Sequence, residues 1–142
     1  MSTPVVRLPL AAPPDVVDVQ RDAHGQRGEE RYRLRRIWCL QVVDGDGELE
    51  WAGRWIPLTP GCVTVTAPDV EHAYRMRQRT DFSWIHLVPD TSAAALALPV
   101  VSQHPAARDL IRQAVACGRP TAARALAWAA AALLAEAGQP AA

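Results

Sequence analysis

Three histidines, His24, His72 and His86, are the side chains of this sequence with the widest range of possible chemistry. Three imidazoles that converge from separate strands can hold Zn²⁺ or Fe²⁺. However, the sequence has no His-x-His pair, because His72 is followed by Ala73 and Tyr74. The three cysteines are widely spaced and form no Cys-x-x-Cys motif, which indicates neither a metal site nor a disulfide. We therefore predict no bound metal and no other cofactor.

Covalent and acid–base catalysis have little support in the motifs of the chain. No serine lies in a nucleophile-elbow motif, and no Asp/His order indicates a catalytic triad. The carboxylates of Asp69 and Glu71 lie beside His72 and would suit acid–base work in an isomerase, but acids in loops are usually solvated. We predict no catalytic residue.

The segment from residue 82 to residue 88 has one face that suits the binding of a small molecule. Alternate residues of a strand point to opposite sides, so one face carries two aromatic rings and an imidazole, and the other is mostly aliphatic. Aromatic rings stack on apolar or sugar rings, while a few polar groups fix orientation. The binding face consists of Phe82, Trp84 and His86, and the opposite face of Ser83, Ile85 and Leu87.

The stretch Leu58–His72 is expected to form one wall of the structure that positions these side chains. Its Pro60-Gly61 pair predicts a type II turn, because proline fixes φ and glycine accepts a positive φ. The alternating β-branched residues of Cys62–Thr66 predict a strand, which Pro68 ends. This strand would deliver His72 and Tyr74 to the rim of a β-structure.

Taken together, residues 16–88 predict about seven or eight short strands with turns roughly every 8–12 residues, the spacing of a sandwich or barrel. Residues 32–43 predict one or two strands, and residues 23–28 a turn or loop. The Asp-Gly-Asp-Gly sequence at 44–47 predicts a hairpin. Residues 90–100 predict a connection of small residues. The prolines of residues 1–14 predict an extended arm without a packed element.

Two helices are predicted after residue 101. The first begins at Pro105, with His104 or Ser102 near its cap, and ends before Gly118. The second runs from Pro120 to about Ala137 and carries an apolar stripe. The stripe would pack on a second copy of the chain or, alternatively, on the first helix and the barrel. Its residues predicted for dimerisation are Leu126, Ala130, Leu133 and Leu134.

Composition limits the function classes further. A length of 142 residues fits one domain, and fifteen basic residues balance fifteen acidic ones, so no overall charge favours nucleic acid or an anionic membrane. No signal peptide is recognisable, and the Ala-rich segment 122–135 is too short to span a bilayer. We expect a cytoplasmic protein without a membrane partner.

The order of these motifs resembles the sensory cupin domain of AraC-family transcription regulators. The motifs are the Gly-x-Gly of residues 45–47, the Pro-Gly turn, a proline before a His-x-Tyr, and the Trp-x-His strand. The resemblance covers residues 16–88 and extends to the two helices. It implies a mainly β fold, a cupin-type double-stranded β-helix (jelly-roll barrel) followed by two C-terminal α-helices.

By the same resemblance, such domains bind a small-molecule effector in the barrel, form homodimers through a helix and control a separate DNA-binding domain. The expected organisation is an extended arm (1–14), a barrel (15–100) and a helical dimerisation segment with the start of a linker (101–142). DNA would be contacted only through a domain outside these residues. Together with the alternation of residues 82–88, the predicted ligand-binding residues are His24, Arg33, Arg35, Trp38, Tyr74, Phe82, Trp84 and His86.

Several alternatives stay open at this point. A stand-alone cupin enzyme, isomerase or dioxygenase-like, would use a metal on His24, His72 and His86, and a purely structural dimerising module would bind no ligand. Arg33, Arg35 and Arg36 would otherwise lie on a solvated edge strand and pair with Glu48 or Glu50, and Trp38 and Trp84 would otherwise be plain core residues. Phe82 stands where the sugar-binding member of the family has a polar residue, which favours a more apolar or aromatic ligand.

Overall fold

The computed structural model describes residues 3–25, 28–91 and 94–138. Within them the chain forms a series of short strands followed by two helices. The strands are β1 (Val5–Pro9), β2 (Asp15–His24), β3 (Glu29–Tyr32), β4 (Trp38–Val43), β5 (Gly47–Trp51), β6 (Arg54–Leu58), β7 (Cys62–Thr66), β8 (His72–Met76), β9 (Thr80–Val88), β10 (Ala95–Pro99) and β11 (Val101–Ser102), and the helices are α1 (Pro105–Cys117) and α2 (Pro120–Gly138).

The strands form two larger sheets and one small one. A five-stranded sheet has the order β11-β7-β4-β9-β2, a four-stranded sheet has the order β3-β8-β5-β6, and β1 pairs with β10. Every pairing is antiparallel. The expected mainly β architecture followed by two helices is therefore confirmed. In the described part of the chain, no helix is both long and apolar enough to cross a membrane.

The Pro-Gly turn before β7 forms as expected. The Cys62 amide donates to the Thr59 carbonyl over 3.1 Å, and Gly61 has a φ of 83°. All five residues of β7 are buried, because the strand lies between β4 and β11 and its faces are covered by α1, β10 and the facing sheet. The stretch around this turn thus forms a central strand of the sheet that carries one wall of the site.

The predicted hairpin at residues 44–47 is wrong. Strand β4 pairs with β7 and β9, whereas β5 pairs with β6 and β8, so these residues carry the chain from one sheet to the other. The glycines are needed there for close approach. A Cβ at Gly45 would lie 2.6 Å from the Thr80 hydroxyl, and one at Gly47 would lie 2.5 Å from the Arg75 carbonyl oxygen.

Two segments that were not expected to be strands form a strand pair. Strand β1, inside the predicted arm, pairs along its whole length with β10, inside the predicted connection 90–100. Leu8 is only 1% exposed, because the pair covers apolar surface of the core. The expectation of an unpacked arm is wrong for this reason: alternating apolar residues on β1 have a partner strand that local sequence does not reveal.

Side chains of α2 hold the rest of the arm by its backbone. The Trp128 indole donates to the Leu10 carbonyl over 2.9 Å, and the Arg124 guanidinium donates to the carbonyls of Pro13 and Pro14 over 3.1 and 3.0 Å. Since these bonds reach backbone oxygens, they fix the path of the arm without depending on its side chains. The Trp128 indole is therefore used for a contact within the chain.

The strand boundaries around the site also differ from the expectation. Strand β2 continues to His24, which was expected in a turn; Gln26 and Arg27 of that predicted turn lie outside the described residues. Of the one or two strands expected at 32–43, the structure has the end of β3 and the strand β4, with a break at 33–37, where Arg36 has a φ of 62°. Arg33 and Arg35 lie exposed in that break.

The ion pairs expected for these arginines are made by others. Arg31 lies 3.3 Å from the Glu50 carboxylate, and Arg75 lies 2.9 Å from that of Glu48. Arg75 on β8 lies directly opposite Glu48 on the neighbouring β5, whereas Arg31 on β3 reaches Glu50 on β5 across Ala73 of β8, which lies between these two strands.

The two helices begin and end close to the expected residues. His104 caps α1 by accepting the Ala107 amide through Nδ1 over 3.2 Å, and Gly118 ends the helix with a φ of 62°. The α2 range also agrees with the expectation. The predicted linker beyond Gly138 falls outside the described residues.

Of the four residues of α2 predicted for dimerisation, two are buried within the chain and two are partly exposed. Ala130 and Leu134 are fully buried, because they belong to the helix face that packs on α1 and β10 within the chain. Leu126 and Leu133 are half-buried at the edge of that face. The expectation that all four face a second copy is therefore wrong for Ala130 and Leu134, and untested for the other two.

Candidate functional site

A cavity of about 180 Å³ lies between the five-stranded and four-stranded sheets. Its most buried rings are those of His72, Tyr74 and Phe82, which are 3%, 5% and 3% exposed and form its floor. The side chains of His24 and Glu30 are 32% and 25% exposed and lie at its mouth. The cavity is therefore a ring-lined pocket with polar groups at its opening.

One wall comes from the five-stranded sheet. Phe82, Trp84 and His86 of β9 all line the cavity, as the alternation of the sequence predicts. The opposite face of β9 includes Ile85 and Leu87, which are 0% and 1% exposed, and α1 packs on that side of the sheet. The shared face is thus confirmed, whereas its role in ligand binding stays a prediction.

The other wall comes from β3 and β8 of the four-stranded sheet. Tyr32 and Tyr74 line the cavity from these strands, together with His72. The rings meet edge to face: the Tyr74 and Phe82 centroids are 5.3 Å apart at 90°, and those of His72 and Tyr74 are 5.9 Å apart at 82°. Such contacts favour a rigid aromatic lining, which costs a ligand little ordering of side chains.

The Tyr74 hydroxyl belongs to a buried polar network. It accepts a hydrogen bond from Gln41 Nε2 over 2.9 Å and lies 3.0 Å from the Thr64 hydroxyl. Burial raises the pKa of Tyr74, so the phenol stays neutral. The network joins β4, β7 and β8 and therefore fixes the two sheets relative to each other below the cavity.

His72 is part of the cavity floor and not of its rim, so the expectation of a rim residue is wrong. Its Nδ1 lies 3.2 Å from the Val70 carbonyl oxygen, which can only accept, so Nδ1 carries the proton. Burial lowers the pKa of His72, which keeps the ring neutral. A neutral ring protonated at Nδ1 offers Nε2 as a hydrogen-bond acceptor.

Glu30 organises the mouth of the cavity. Its Oε1 accepts the Gly25 amide over 2.6 Å, its Oε2 accepts the Tyr32 hydroxyl over 2.6 Å, and His24 Nδ1 lies 3.6 Å from Oε2. Burial, followed by the hydrogen bond to Glu30, raises the pKa of Tyr32. The carboxylate thus ties the end of β2 to β3.

Asp18 supports the aromatic wall from outside the cavity. The Trp84 indole donates to Asp18 Oδ2 over 3.3 Å, and His86 Nδ1 lies 3.7 Å from the same oxygen. The Trp84 and His86 rings are stacked with centroids 6.0 Å apart. Burial lowers the pKa of His86, although Asp18 acts in the opposite direction. Asp18 therefore fixes the orientation of both rings.

The three histidines of the metal alternative all line the cavity. Across the described ranges 3–25, 28–91 and 94–138, however, no group of three or more His, Cys, Asp or Glu side chains is arranged to hold a metal ion. Cys39 also lines the cavity, and burial raises the pKa of its thiol to about 12, which makes the thiolate scarce. The arrangement suits non-covalent binding by rings and neutral acceptors.

Three of the predicted site residues do not line the cavity. Arg33 and Arg35 lie in the exposed break between β3 and β4. Trp38 is on β4, where alternate residues Cys39 and Gln41 face the cavity, so Trp38 points to the other side of the sheet.

Sequence reasoning also missed lining residues. Gln41 stands alone as a polar residue in an apolar run, a signal that could have identified it. Tyr32 was expected only at the start of the one or two strands of residues 32–43, and no sequence motif indicated a role for Glu30. Both needed the pairing of β3 with β8 to be placed.

Comparisons with solved structures find weak similarity. A predicted oxalate decarboxylase from Thermotoga maritima is 14% identical, with a TM-score of 0.45 over 52% of this chain and 68% of that one. A de novo designed double-stranded β-helix is 14% identical, with a TM-score of 0.40 over 49% of this chain and 99% of that one. A protein from Photorhabdus luminescens is 16% identical, with a TM-score of 0.42 over 55% and 78% of the two chains.

The comparison of family models gives a definite result. No curated protein matches the sequence significantly. Residues 26–142 match the model of the AraC-like ligand binding domain, and this range includes both sheets' cavity-lining strands from β3 onward and both helices. The resemblance and the cupin-type double-stranded β-helix expected from the sequence are confirmed. The chain belongs to the AraC-like ligand binding domain family.

Proposed function

We propose that this chain is the ligand-sensing and dimerisation domain of an AraC-type transcription regulator, which binds a small-molecule effector in a metal-free barrel. The observation that supports this most strongly is the ring-lined cavity within a chain of this family. The domain works in the cytoplasm and has no catalytic role. It acts on DNA only through a further domain, whose position it controls.

The packing suggests how binding reaches the helices. Strand β9 carries cavity residues on one face, including Phe82, and core residues such as Ile85 on the other, against which α1 packs. Helix α1 packs in turn on α2. Suppose that β9 can take two positions relative to the helices. A ligand that binds one of these two states more tightly then shifts the helices toward that state, by an amount set by the difference between its affinities for the two states.

The proposal predicts a ligand whose binding needs the aromatic wall. In a thermal-shift screen of small metabolites, at least one compound raises the melting temperature of the chain, because ligand binds the folded state only. Trp84→Ala abolishes that shift. Trp55→Ala is the matched control and should keep the shift. Trp55 lies outside the cavity, where the Arg75 guanidinium carbon is 4.1 Å from the centroid of the Trp55 ring. A broad screen without any hit would favour a purely structural module.

The enzyme alternative makes a different prediction. A metal-dependent cupin would contain stoichiometric iron, manganese or zinc, and His72→Ala would lose it. Elemental analysis of the purified chain is expected to show far less than one metal per chain, with no difference between the wild type and His72→Ala. Stoichiometric metal that depends on His72 would sink the metal-free proposal.

A further inference from the structure

The floor of the cavity holds a ring nitrogen that the described residues leave without a partner. The Nδ1 proton of His72 goes to the Val70 carbonyl, so Nε2 keeps a free lone pair. In the part of the chain that the structure describes, Ser102 Oγ is the only side-chain oxygen or nitrogen that is both fully buried and unpaired. Since Nε2 is unpaired as well, it borders open space, and His72 lines the cavity. Nε2 is therefore an acceptor that a bound molecule can reach.

Gln41 supplies a second acceptor to the lining. Its Nε2 donates to the Tyr74 hydroxyl over 2.9 Å, whereas the donor to its Oε1 is the Cys39 thiol, a weak one, over 4.0 Å. Gln41 is 6% exposed, so this oxygen has little contact with bulk water. The lining thus offers two neutral acceptors whose capacity is not fully used.

The donors of the lining, in contrast, are engaged. The Tyr32 hydroxyl donates to Glu30 over 2.6 Å, and the Trp84 indole donates to Asp18 over 3.3 Å. The Tyr74 hydroxyl is held in the buried network described above. A ligand that only accepts hydrogen bonds would have to break one of these bonds, whereas a ligand that donates one gives a buried acceptor its partner.

The floor also disfavours an ionised group on the ligand. His72 and Tyr74 are neutral, because burial lowers the pKa of the imidazole and raises that of the phenol. Phe82 carries no charge, and the Cys39 thiol has a pKa raised by burial to about 12. A charged group brought to these residues would lose its hydration without meeting an opposite charge among them. The donor that fits is an uncharged one, such as a hydroxyl group.

The size of the cavity limits the rest of the ligand. Its volume of about 180 Å³ is close to the ~150 Å³ of an apolar cavity that holds benzene, so it suits one ring with a short substituent. Tyr74, Phe82 and Trp84 offer aromatic surface to such a ring from both sheets.

We propose that the effector is an uncharged single-ring molecule with a hydroxyl group, of which phenol is the simplest form. Its ring lies among Tyr74, Phe82 and Trp84, and its O–H group donates to His72 Nε2. This inference rests on the proposed function, because it names the ligand class of the same site.

Three probes that share one ring and differ in its substituent test the class: phenol, toluene and benzoate. Their dissociation constants are measured by calorimetry at pH 7.5, where a phenol with a pKa of about 10 is uncharged. Toluene gains more than phenol from leaving water, so tighter binding of phenol reports a hydrogen bond. We expect phenol to bind roughly tenfold more tightly than toluene, which leaves the acceptor unpaired, and benzoate to bind more weakly than phenol.

His72→Phe tests the assignment to this acceptor. It keeps a ring in the floor but removes Nε2, and we expect the preference for phenol over toluene to disappear. His86→Phe is the matched control, since it makes the same replacement at another imidazole of the lining, which lies beside Asp18. It changes the affinities for both probes together and keeps the preference for phenol.

A measurement on the wild type keeps the assignment testable if His72→Phe does not fold or binds neither probe. In a chain with ¹⁵N-labelled histidine, NMR follows the unprotonated Nε2 of His72, identified by elimination with variants of the other three histidines. This resonance should shift when phenol is added, because the nitrogen accepts a hydrogen bond, and it should stay nearly unchanged with toluene.

The outcomes separate the inference from the proposed function. Toluene or benzoate binding as tightly as phenol, a preference that survives His72→Phe, or an Nε2 resonance that does not move with phenol overturns the inference, while a ligand-binding domain remains. Binding of none of the three probes overturns it as well, because the ring class is then wrong. In that case the metabolite screen with Trp84→Ala still judges the proposed function by itself.

Discussion

At the scale of single residues, the cavity owes its properties to buried groups that are kept neutral. His72, Tyr74 and Tyr32 line the site without charge, because burial disfavours the charged form of each. Their hydrogen bonds direct which atom of each ring faces the cavity. The site therefore depends on ring orientation more than on charge, apart from Glu30.

The buried imidazole of His72 makes a prediction about pH. Its pKa is lowered in the folded state, so between that value and the ordinary value of about 6.5 the unfolded chain binds a proton that the folded chain does not. The contribution of the neutral His72 ring to the free energy of unfolding is therefore fully present above the ordinary pKa, and it is lost as the pH falls below that value. The urea midpoint should therefore fall from pH 7.5 to pH 5.5, and His72→Asn should make this fall smaller.

Phe82→Leu is the control for this experiment. Phe82 is buried in the lining of the same cavity and carries no titratable group, so the fall of the midpoint with pH should stay as in the wild type. An unchanged pH dependence in His72→Asn would mean that His72 is not the buried neutral group described above.

The residues of the site that sequence could identify are those set by simple alternation. Phe82, Trp84 and His86 share a face because a strand repeats every two residues, whatever it packs against. Arg33 and Arg35 could not be placed, since the break between β3 and β4 passes through Arg36 at a φ of 62°. A non-glycine residue with positive φ has no clear signal in the sequence.

At the scale of elements, turns depend on which strands become neighbours. The β5–β6 hairpin turns at Ala52 and Gly53, both with positive φ, as in a type I′ turn. The Asp-Gly pairs at 44–47 have the stronger hairpin sequence but join strands of different sheets. Local sequence therefore identified a turn, while the pairing of the strands decided its type.

The hairpin at Ala52 predicts a stabilising substitution. Alanine in the left-handed region destabilises the folded state by about 1–2 kcal/mol, a cost that glycine avoids. Against this, glycine gives the unfolded chain more conformational entropy, which lowers stability by roughly 0.4–1 kcal/mol. Ala52→Gly should therefore raise the free energy of unfolding by about 0.5 kcal/mol in urea titration.

The same substitution in a helix gives the matched control. Ala132→Gly lies on the exposed face of α2 and should lower the free energy of unfolding by about 1 kcal/mol, because glycine disfavours helix. Equal losses in Ala52→Gly and Ala132→Gly would contradict the positive φ of Ala52.

At the scale of the whole molecule, the packing of α2 changes which surface remains for a second copy. Its buried face packs on α1 and β10, and its outward face is lined by the small residues Ala125, Ala129 and Ala132 with Leu126 and Leu133 at the edge. Small residues allow two helices to approach closely. Dimerisation stays a proposal, now assigned to this outward face.

Ala129→Glu tests that face. A carboxylate buried without a partner would oppose helix association. We therefore expect the dissociation constant of the dimer, measured by sedimentation velocity, to rise roughly tenfold or more. Ala116→Glu on the exposed side of α1 is the control and should leave association unchanged. A dimer that tolerates Ala129→Glu would require a different interface.

The overall architecture was predictable because alternation, turns and helix periods recur along the chain in a recognisable order. The pairing of β1 with β10 was not, since its two members are separated by most of the barrel and neither has a strong strand signal alone. Pairings between distant segments depend on the assembled core, which no local pattern encodes.

That distant pairing also sets the timing of folding during protein synthesis. Strand β1 leaves the ribosome roughly 90 residues before β10, and at about 5–20 residues per second it waits on the order of 5–20 s for its partner. During this interval Val6 and Leu8 have no strand to cover them. The nascent chain is therefore open to chaperones at β1, which is covered only once β10 has emerged.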